Sequence, residues 1–258
     1  MQSFLGGAKR GSMTDIRPST AYVGKQKIIY DASLFAAPPR RLFDSRYLGT
    51  AGLITGEAVG RGQAWFFRYE KLDLVLRHFR RGGIMEKLLV DRYPGGSDPE
   101  KTRSWREWRL LAKLYRQGLP VPRPVAARVD GGPLVYRADL ITQRIPDARS
   151  LADRLAAGKL EVIDWGRIGK VIARFHHLGV WHPDLNARNV LLDRQGGVFL
   201  VDFDQGRLKA GLGAQQNLKR LLRSLNKIKN SQSPFYFEET DWPLLLAGYH
   251  SHPAPECT

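Results

Sequence analysis

Three oxygen-bearing side chains lie close together in a short and otherwise apolar part of the sequence. Asp184 and Asn189 belong to the segment "HPDLNARNVLLD", and Asp202 belongs to the segment "GVFLVDFD" that follows it. Carboxylate and amide oxygens are ligands that Mg²⁺ prefers, and a Mg²⁺ ion held by one or two protein oxygens usually shares its shell with phosphates. A further carboxylate nearby suits a base for a hydroxyl nucleophile. The pattern therefore predicts magnesium-assisted chemistry at a phosphate.

Two apolar runs position these side chains. They are separated by "RQGG", which predicts a β-hairpin in which Leu192 pairs with Val198. Asn189 and Asp202 then meet at the open end of the hairpin, and Asp184 lies one loop earlier. A single Asn or Asp there would usually cap a turn through local hydrogen bonds. Three of them at one mouth favour a functional site.

The pattern of elements changes along the chain. Residues 1–20 are polar and aperiodic, which predicts a disordered extension. Residues 21–145 contain short β-branched and aromatic runs and one amphipathic helix, whereas residues 146–258 are mostly helical, with a weakly patterned tail from residue 231. We therefore predict an α+β fold with two lobes.

Composition limits the classes of protein to consider. The 258 residues include one cysteine, Cys257, so a disulfide within the chain is excluded and a reducing, cytoplasmic setting is expected. The sequence has no run of eighteen apolar residues and no signal-peptide pattern at its start, where Met13 is an alternative to Met1 as the first residue.

The net charge of +16 indicates an anionic partner, although a preference for arginine codons is an alternative explanation. Basic residues concentrate in "RHFRRGG", which contains Arg80 and Arg81, and in a helical segment at 218–229. That segment has five cations around an apolar face: Lys219, Arg220, Arg223, Lys227 and Lys229. It is either an ordinary surface helix or a helix that lies on an anionic membrane.

The segment "RSWREWR" mixes tryptophan with arginine, as nucleic-acid-binding surfaces do. Trp105 and Trp108 share one face at helical spacing, however, so core packing is the favoured interpretation. We expect no nucleic-acid partner and find no sign of an obligate protein partner.

Several of these motifs also resemble a known family. "HPDLNARN" resembles the catalytic loop H-R-D-x-x-x-x-N of protein kinases, and "VDFD" resembles their D-F-G motif. Within that superfamily the chain is similar to the lipopolysaccharide core kinases, and most of all to those acting on 3-deoxy-D-manno-octulosonic acid (Kdo). The likeness is carried by "LRHFRRGG", "DRY" and "TRSWREWRLLAKLYRQGLPVPRPVAAR" and covers most of residues 56–207.

The resemblance implies a protein-kinase-like bilobal fold, with a nucleotide-binding N-lobe (21–145) and a reduced, mostly helical C-lobe (146–258). It implies ATP and Mg²⁺ as cofactors and a hydroxyl of Kdo–lipid A, expected to be the 4-OH, as acceptor at the cytoplasmic face of the inner membrane. Asp184 would be the base, and Asn189 and Asp202 would hold Mg²⁺. Lys219, Arg220, Arg223, Arg80 and Arg81 are weaker candidates for contact with the substrate or the membrane.

The nucleotide-binding residues depart from the kinase pattern. Arg77 stands where kinases have a lysine, and it would pair with Glu107 and grip phosphate. The glycine-rich loop is imperfect, with Gly60 and Gly62 as its best candidates, and a tight strand turn explains it nearly as well. The D-F-G motif has become D-F-D, with Asp204 in the glycine position. Kinases of a heptose, an aminoglycoside or choline, or a nucleic-acid-binding protein on the same fold, remain alternatives.

Overall fold

The structure is a computed structural model that describes most of the chain. The described residues are 15–58, 64–79, 93–94, 98–132, 135–208 and 213–251. The described chain has two successive parts. The first is an antiparallel sheet with one long helix, and the second is mostly helical and contains two small β-sheets.

The first part is organised around an eight-stranded sheet. Its strands are β1 (Pro18–Val23), β2 (Gln26–Asp31), β3 (Ile54–Ala58), β4 (Ala64–Tyr69), β5 (Leu72–His78), β6 (Tyr93–Pro94), β7 (Pro124–Gly131) and β8 (Val135–Gln143). The order across the sheet is β1-β2-β7-β8-β5-β4-β3, and β6 pairs with β8. All of these pairings are antiparallel, and the strands coincide with the short β-branched and aromatic runs in the sequence.

One helix lies on each face of this sheet. The short helix α1 (Ser45–Thr50) follows a 3₁₀ turn and covers one face, where Leu42, Phe43 and Leu48 are buried. The long helix α2 (Arg103–Arg116) packs on the other face, mainly against β7. Trp105 and Trp108 of α2 are buried, which confirms the prediction that they belong to the core.

The predicted disordered extension is wrong for its last residues. Strand β1 begins at Pro18 and pairs with β2 over six residues, and the side chain of Ile16 is buried. The backbone N–H of Arg17 also donates to the Asp31 carboxylate at 3.0 Å. The strand is not apparent from the residue types because the side chains of this edge strand are exposed or only half-buried, so it lacks the apolar residues that mark a buried strand. Residues 1–14 lie outside the described part of the chain.

In its described residues, the second part contains four helices and five short strands. The helices are α3 (Leu151–Ala157), α4 (Val162–His177), α5 (Ala214–Ser231) and α6 (Asp241–His250). The strands are β9 (Arg149–Ser150), β10 (Val180–Trp181), β11 (Val190–Leu192), β12 (Val198–Leu200) and β13 (Arg207–Leu208). Strands β12, β11 and β9 form a three-stranded sheet, and β10 and β13 form a two-stranded sheet.

The weak patterning beyond residue 231 predicts little structure, and this prediction is wrong for residues 241–250, which form α6. Residues 252–258 lie outside the described part of the chain. Helix α6 packs closely along α4 because glycines face each other in the two helices. A Cβ atom added to Gly169 would overlap the Leu245 carbonyl oxygen, and one added to Gly248 would overlap the backbone of Gly166. The sequence signal was weak because three consecutive leucines in α6 give no clear helical period.

Candidate active site

The predicted hairpin is present. Strands β11 and β12 pair with Leu192 opposite Val198, as expected from the sequence. The backbone N–H of Val201 donates to the Asn189 carbonyl oxygen at 3.0 Å, which extends the pairing to the open end. Asn189 and Asp202 therefore follow the two strands at the same mouth, and the loop with Asp184 precedes them.

Asn189 is fixed by the loop that carries Asp184. Its side-chain nitrogen donates to the Asp184 carbonyl oxygen at 2.8 Å, and the residue is buried. This contact uses the amide nitrogen of Asn189 and leaves the amide oxygen, which is the atom that could bind a cation. A local turn also orders the loop, because the Asn186 amide nitrogen donates to the Asp184 carboxylate at 3.1 Å.

His182 supports the loop from below. It is buried and packs against Phe203, with ring centroids 4.6 Å apart. Its Nε2 lies 2.9 Å from the Val201 carbonyl oxygen, and its Nδ1 accepts the backbone N–H of Asp184 at 3.2 Å. These contacts require the tautomer with the proton on Nε2. Burial lowers the pKa of His182, so the ring stays neutral. The neutral ring connects the Asp184 loop to Val201, the residue before Asp202.

Arg77 links the sheet, α2 and the hairpin. Its guanidinium on β5 donates to Glu107 on α2 and to the Asp202 carboxylate. The predicted contact between Arg77 and Glu107 is therefore present, and Asp202 joins it. Burial raises the pKa of Glu107 to about 7, although the Arg77 charge opposes this rise. Burial works against the charge of Arg77, but Asp202 and Glu107 raise its pKa overall, so it remains a cation.

Helix α5 packs against the loop that carries Asp184. Asn217 accepts the His182 N–H at 3.2 Å and donates to the His182 carbonyl oxygen at 2.5 Å. One turn later, Nη1 of Arg220 lies 3.3 Å from the Asp184 carboxylate. One further turn along, the Ser224 hydroxyl accepts the Ala187 N–H at 3.2 Å. The three residues lie on one face of α5, so this helix is part of the site.

The remaining predicted site residues are more distant or not described. Lys219 and Arg223 are exposed on α5, and Nε of Arg223 donates to the Lys219 carbonyl oxygen at 3.3 Å. Gly60, Gly62, Arg80 and Arg81 lie outside the described residues.

Sequence reasoning missed two contributors to the site. Asn217 is a polar residue on the apolar face of an amphipathic helix, which is the only signal that pointed to it. Arg103 binds the Asp204 carboxylate beside Asp202, with Nε 2.9 Å from Oδ1. No local pattern could have shown this pair, because its members lie on different elements.

The donor set fits Mg²⁺. Within the described ranges, no group of three or more histidine, cysteine, aspartate or glutamate residues could hold a metal ion on its own. One carboxylate, from Asp202, and one amide oxygen, from Asn189, are instead the kind of incomplete oxygen set that Mg²⁺ completes with water and phosphate. No thiolate or cluster of imidazoles is present in that set, so a zinc site does not fit these residues.

Comparison with known proteins identifies a matching family and similar sequences. The sequence model of the lipopolysaccharide kinase (Kdo/WaaP) family matches residues 46–249. A 3-deoxy-D-manno-octulosonic acid kinase of Vibrio vulnificus (strain YJ016) is 40% identical over 229 residues, which cover 88% of this chain and 96% of that protein. A protein with the same description from Stenotrophomonas maltophilia (strain K279a) is 43% identical over 210 residues, covering 80% of this chain and 82% of the relative.

Proposed function

The chain belongs to the lipopolysaccharide kinase (Kdo/WaaP) family, and from this premise we propose that it transfers the γ-phosphoryl group of ATP to a Kdo hydroxyl. The acceptor is a Kdo-containing lipopolysaccharide precursor, for which we propose Kdo–lipid A and its 4-OH. One observation carries the proposal: Asp184, Asn189 and Asp202 share one mouth, and Arg77 and Glu107 adjoin it.

Each of these residues has a proposed task. Asp202 and Asn189 hold Mg²⁺, which, when bound, offsets the negative charge of the phosphates. Asp184 accepts the proton of the attacking Kdo hydroxyl while the acceptor oxygen bonds to the γ-phosphorus and ADP leaves. Its carboxylate suits this task because it is exposed at the mouth, with the side chain 59% accessible.

Arg77 is proposed to change partners when nucleotide binds. Its guanidinium pairs with both Asp202 and Glu107. With the nucleotide in place, its fork can bind phosphate oxygens while Glu107 keeps the other side. Asp202 would then be free to hold Mg²⁺, so the guanidinium that pairs with the two carboxylates would also bind the phosphates.

Arg220 is proposed to assist binding of an anionic sugar. Kdo carries a carboxylate, which Asp184 alone would repel. Arg220 lies beside Asp184 on an exposed surface, where the pair itself contributes little to stability. Its remaining N–H groups can bind the sugar carboxylate, because guanidinium and carboxylate match as two parallel hydrogen bonds.

The decisive experiment is mass spectrometry of Kdo–lipid A after incubation with ATP and Mg²⁺. We expect a mass gain of one phosphate on the Kdo residue, with fragmentation locating it at the 4-OH. The Asp184→Asn variant is the matched control and should give almost no product. A wild-type protein that leaves the acceptor unchanged under these conditions would contradict the proposed function.

The exposed cations of α5 are proposed to hold the enzyme on the anionic inner face of the inner membrane. No helix in the described part of the chain is long and apolar enough to cross a bilayer. Lys219, Arg223 and Lys227 are exposed on α5. Each basic residue near an anionic surface contributes roughly 1 kcal/mol to binding. Three such residues, added to Arg220, provide a reversible attachment.

Vesicle sedimentation tests this attachment. Changing Lys219, Arg223 and Lys227 to glutamine should release the protein from anionic vesicles, and added salt should do the same to the wild type, because the Debye length at physiological salt is about 8 Å.

A matched control neutralises three exposed arginines on the sheet part: Arg40, Arg41 and Arg46. Equal sedimentation of both triple variants would contradict docking through α5. Salt-sensitive binding of the wild type to RNA or DNA, without binding to vesicles, would point to a nucleic-acid partner.

A further inference from the structure

We propose that Arg103 and Asp204 are positioning residues that hold the Asp202 loop against α2, so that Asp202 stays aimed at the Mg²⁺–nucleotide. The inference rests on the proposed function only in its ligand, a magnesium nucleotide, and does not depend on the sugar. Asp204 occupies the place where the protein-kinase motif D-F-G has glycine, which has no side chain to make such a pair.

The contacts of Arg103 are more extensive than those of an ordinary surface ion pair. Its Nε donates to one Asp204 oxygen at 2.9 Å, and Nη2 donates to the other. Its third nitrogen, Nη1, donates to the Tyr93 hydroxyl at 2.9 Å. The two charged side chains are only 26% and 19% accessible. A two-point, partly buried guanidinium–carboxylate pair fixes orientation as well as distance.

The loop needs such support because its backbone is in an unfavourable conformation. Asp202 has φ +64° and Gln205 has φ +60°, both in the left-handed region that side chains other than glycine disfavour. Between them, Phe203 is buried and stacks on Phe175. Gly206 closes the turn, where an added Cβ would lie 2.8 Å from a Leu110 methyl group. Such conformations persist when the surroundings hold them.

Three links join α2 to this loop. Glu107 accepts a hydrogen bond from the backbone N–H of Phe203, and it also binds Arg77, which in turn binds Asp202. We infer that the Arg77–Asp202 contact opens when Asp202 turns to Mg²⁺. Arg103, one turn earlier on α2, binds Asp204 directly. The ring of Phe79 lies between the two guanidinium groups, 4.5 Å from that of Arg77 and 5.7 Å from that of Arg103. The Arg103–Asp204 pair does not involve Arg77, so together with the Glu107–Phe203 hydrogen bond it keeps the loop in place while Arg77 changes partners.

Calorimetry of ADP binding tests the proposal. Changing Asp204 to asparagine should weaken binding of Mg²⁺–ADP by roughly 10–100-fold, the range for residues that orient a metal ligand. Binding of ADP without Mg²⁺ should change by less than about threefold, because Asp202 then has no metal to hold. Arg103→Gln should behave alike, and the double variant should be no worse than either single one, since both remove one interaction.

The matched control is Arg109→Gln on the same helix. Arg109 also makes a fork to a carboxylate, with Nη2 2.6 Å from Glu100, but both side chains are well exposed and Glu100 is not part of the Asp202 loop. This variant should bind Mg²⁺–ADP as the wild type does. Equal losses in Arg109→Gln and Asp204→Asn would overturn the proposal, as would equal losses with and without Mg²⁺.

Hydrogen exchange gives a second readout, in protein without metal or nucleotide. Amides of residues 202–206 should exchange faster in Asp204→Asn than in the wild type or in Arg109→Gln, and unchanged exchange there would contradict the proposal. Kdo–lipid A phosphorylation is measured in parallel. Failure of the wild type to phosphorylate it, with Mg²⁺-dependent ADP binding intact, would contradict the proposed function alone.

Discussion

Asn217 connects the fold and the site through a few hydrogen bonds. The residue is only 2% accessible, and its side chain bonds to both the N–H and the carbonyl group of His182. The same amide oxygen lies 3.2 Å from Nε2 of His176 on α4. Replacing Asn217 with alanine removes all three contacts and leaves two backbone groups of the catalytic loop without their partner.

The size of the effect follows from this count. A buried polar group that loses its partner costs about 1–3 kcal/mol. With two backbone groups affected, we expect the free energy of unfolding to fall by roughly 3 kcal/mol. Turnover should fall as well, because the His182 backbone leads directly into Asp184. The Asn217→Asp variant keeps the acceptor for the His182 N–H but places a carboxylate oxygen against the His182 carbonyl, so it should be destabilised too.

Denaturant unfolding with the Asn226→Ala variant as control measures this effect. Asn226 is exposed on the same helix, so its replacement tests helix propensity without the buried contacts. We expect its free energy of unfolding to stay within about 0.5 kcal/mol of the wild type. If Asn217→Ala were equally harmless and kept full turnover, the reasoning that α5 supports the catalytic loop through Asn217 would be refuted.

Three other predictions concern the chemistry and the pH dependence. Asp184→Asn should keep ADP binding and lower turnover by roughly 10²–10⁴-fold, the range for a positioned base; unchanged turnover at unchanged thermal stability would exclude that role. Asp202→Ala should abolish the Mg²⁺ dependence of nucleotide binding in calorimetry, and Asn189→Ala should reduce it less, because an amide oxygen carries less charge than a carboxylate. Burial lowers the pKa of His176 to about 4, so its neutral form stabilises the fold fully above its ordinary value of about 6.5, and this stability is lost as pH falls from 6.5 toward 4. His176→Gln should therefore flatten the pH dependence of the unfolding free energy in that window, and an unchanged slope would contradict a buried, neutral His176.

The sequence by itself determined the local elements and the identity of the chemical groups. Short apolar, β-branched and aromatic runs predicted β4, β5 and the β11–β12 hairpin, and helical spacing predicted α2, α4 and α5. The turn between β11 and β12 alone set the register that brings Asn189 and Asp202 to one mouth. These features are readable because period and turn chemistry act between residues that are close in the chain.

Only the tertiary structure decided which distant residues complete the site. Arg77 and Asp202 are 125 positions apart, and Arg103 and Asp204 are 101 apart, so no local period connects them. The same holds for the contact of α6 with α4, which depends on glycines that allow two backbones to approach. The sequence leaves α5 as either a surface helix or a helix on a membrane, whereas the tertiary structure packs it against the loop that carries Asp184 and leaves Lys219, Arg223 and Lys227 exposed. Sequence periodicity shows that a helix has an apolar face, but the partner of that face is set by packing across the whole chain.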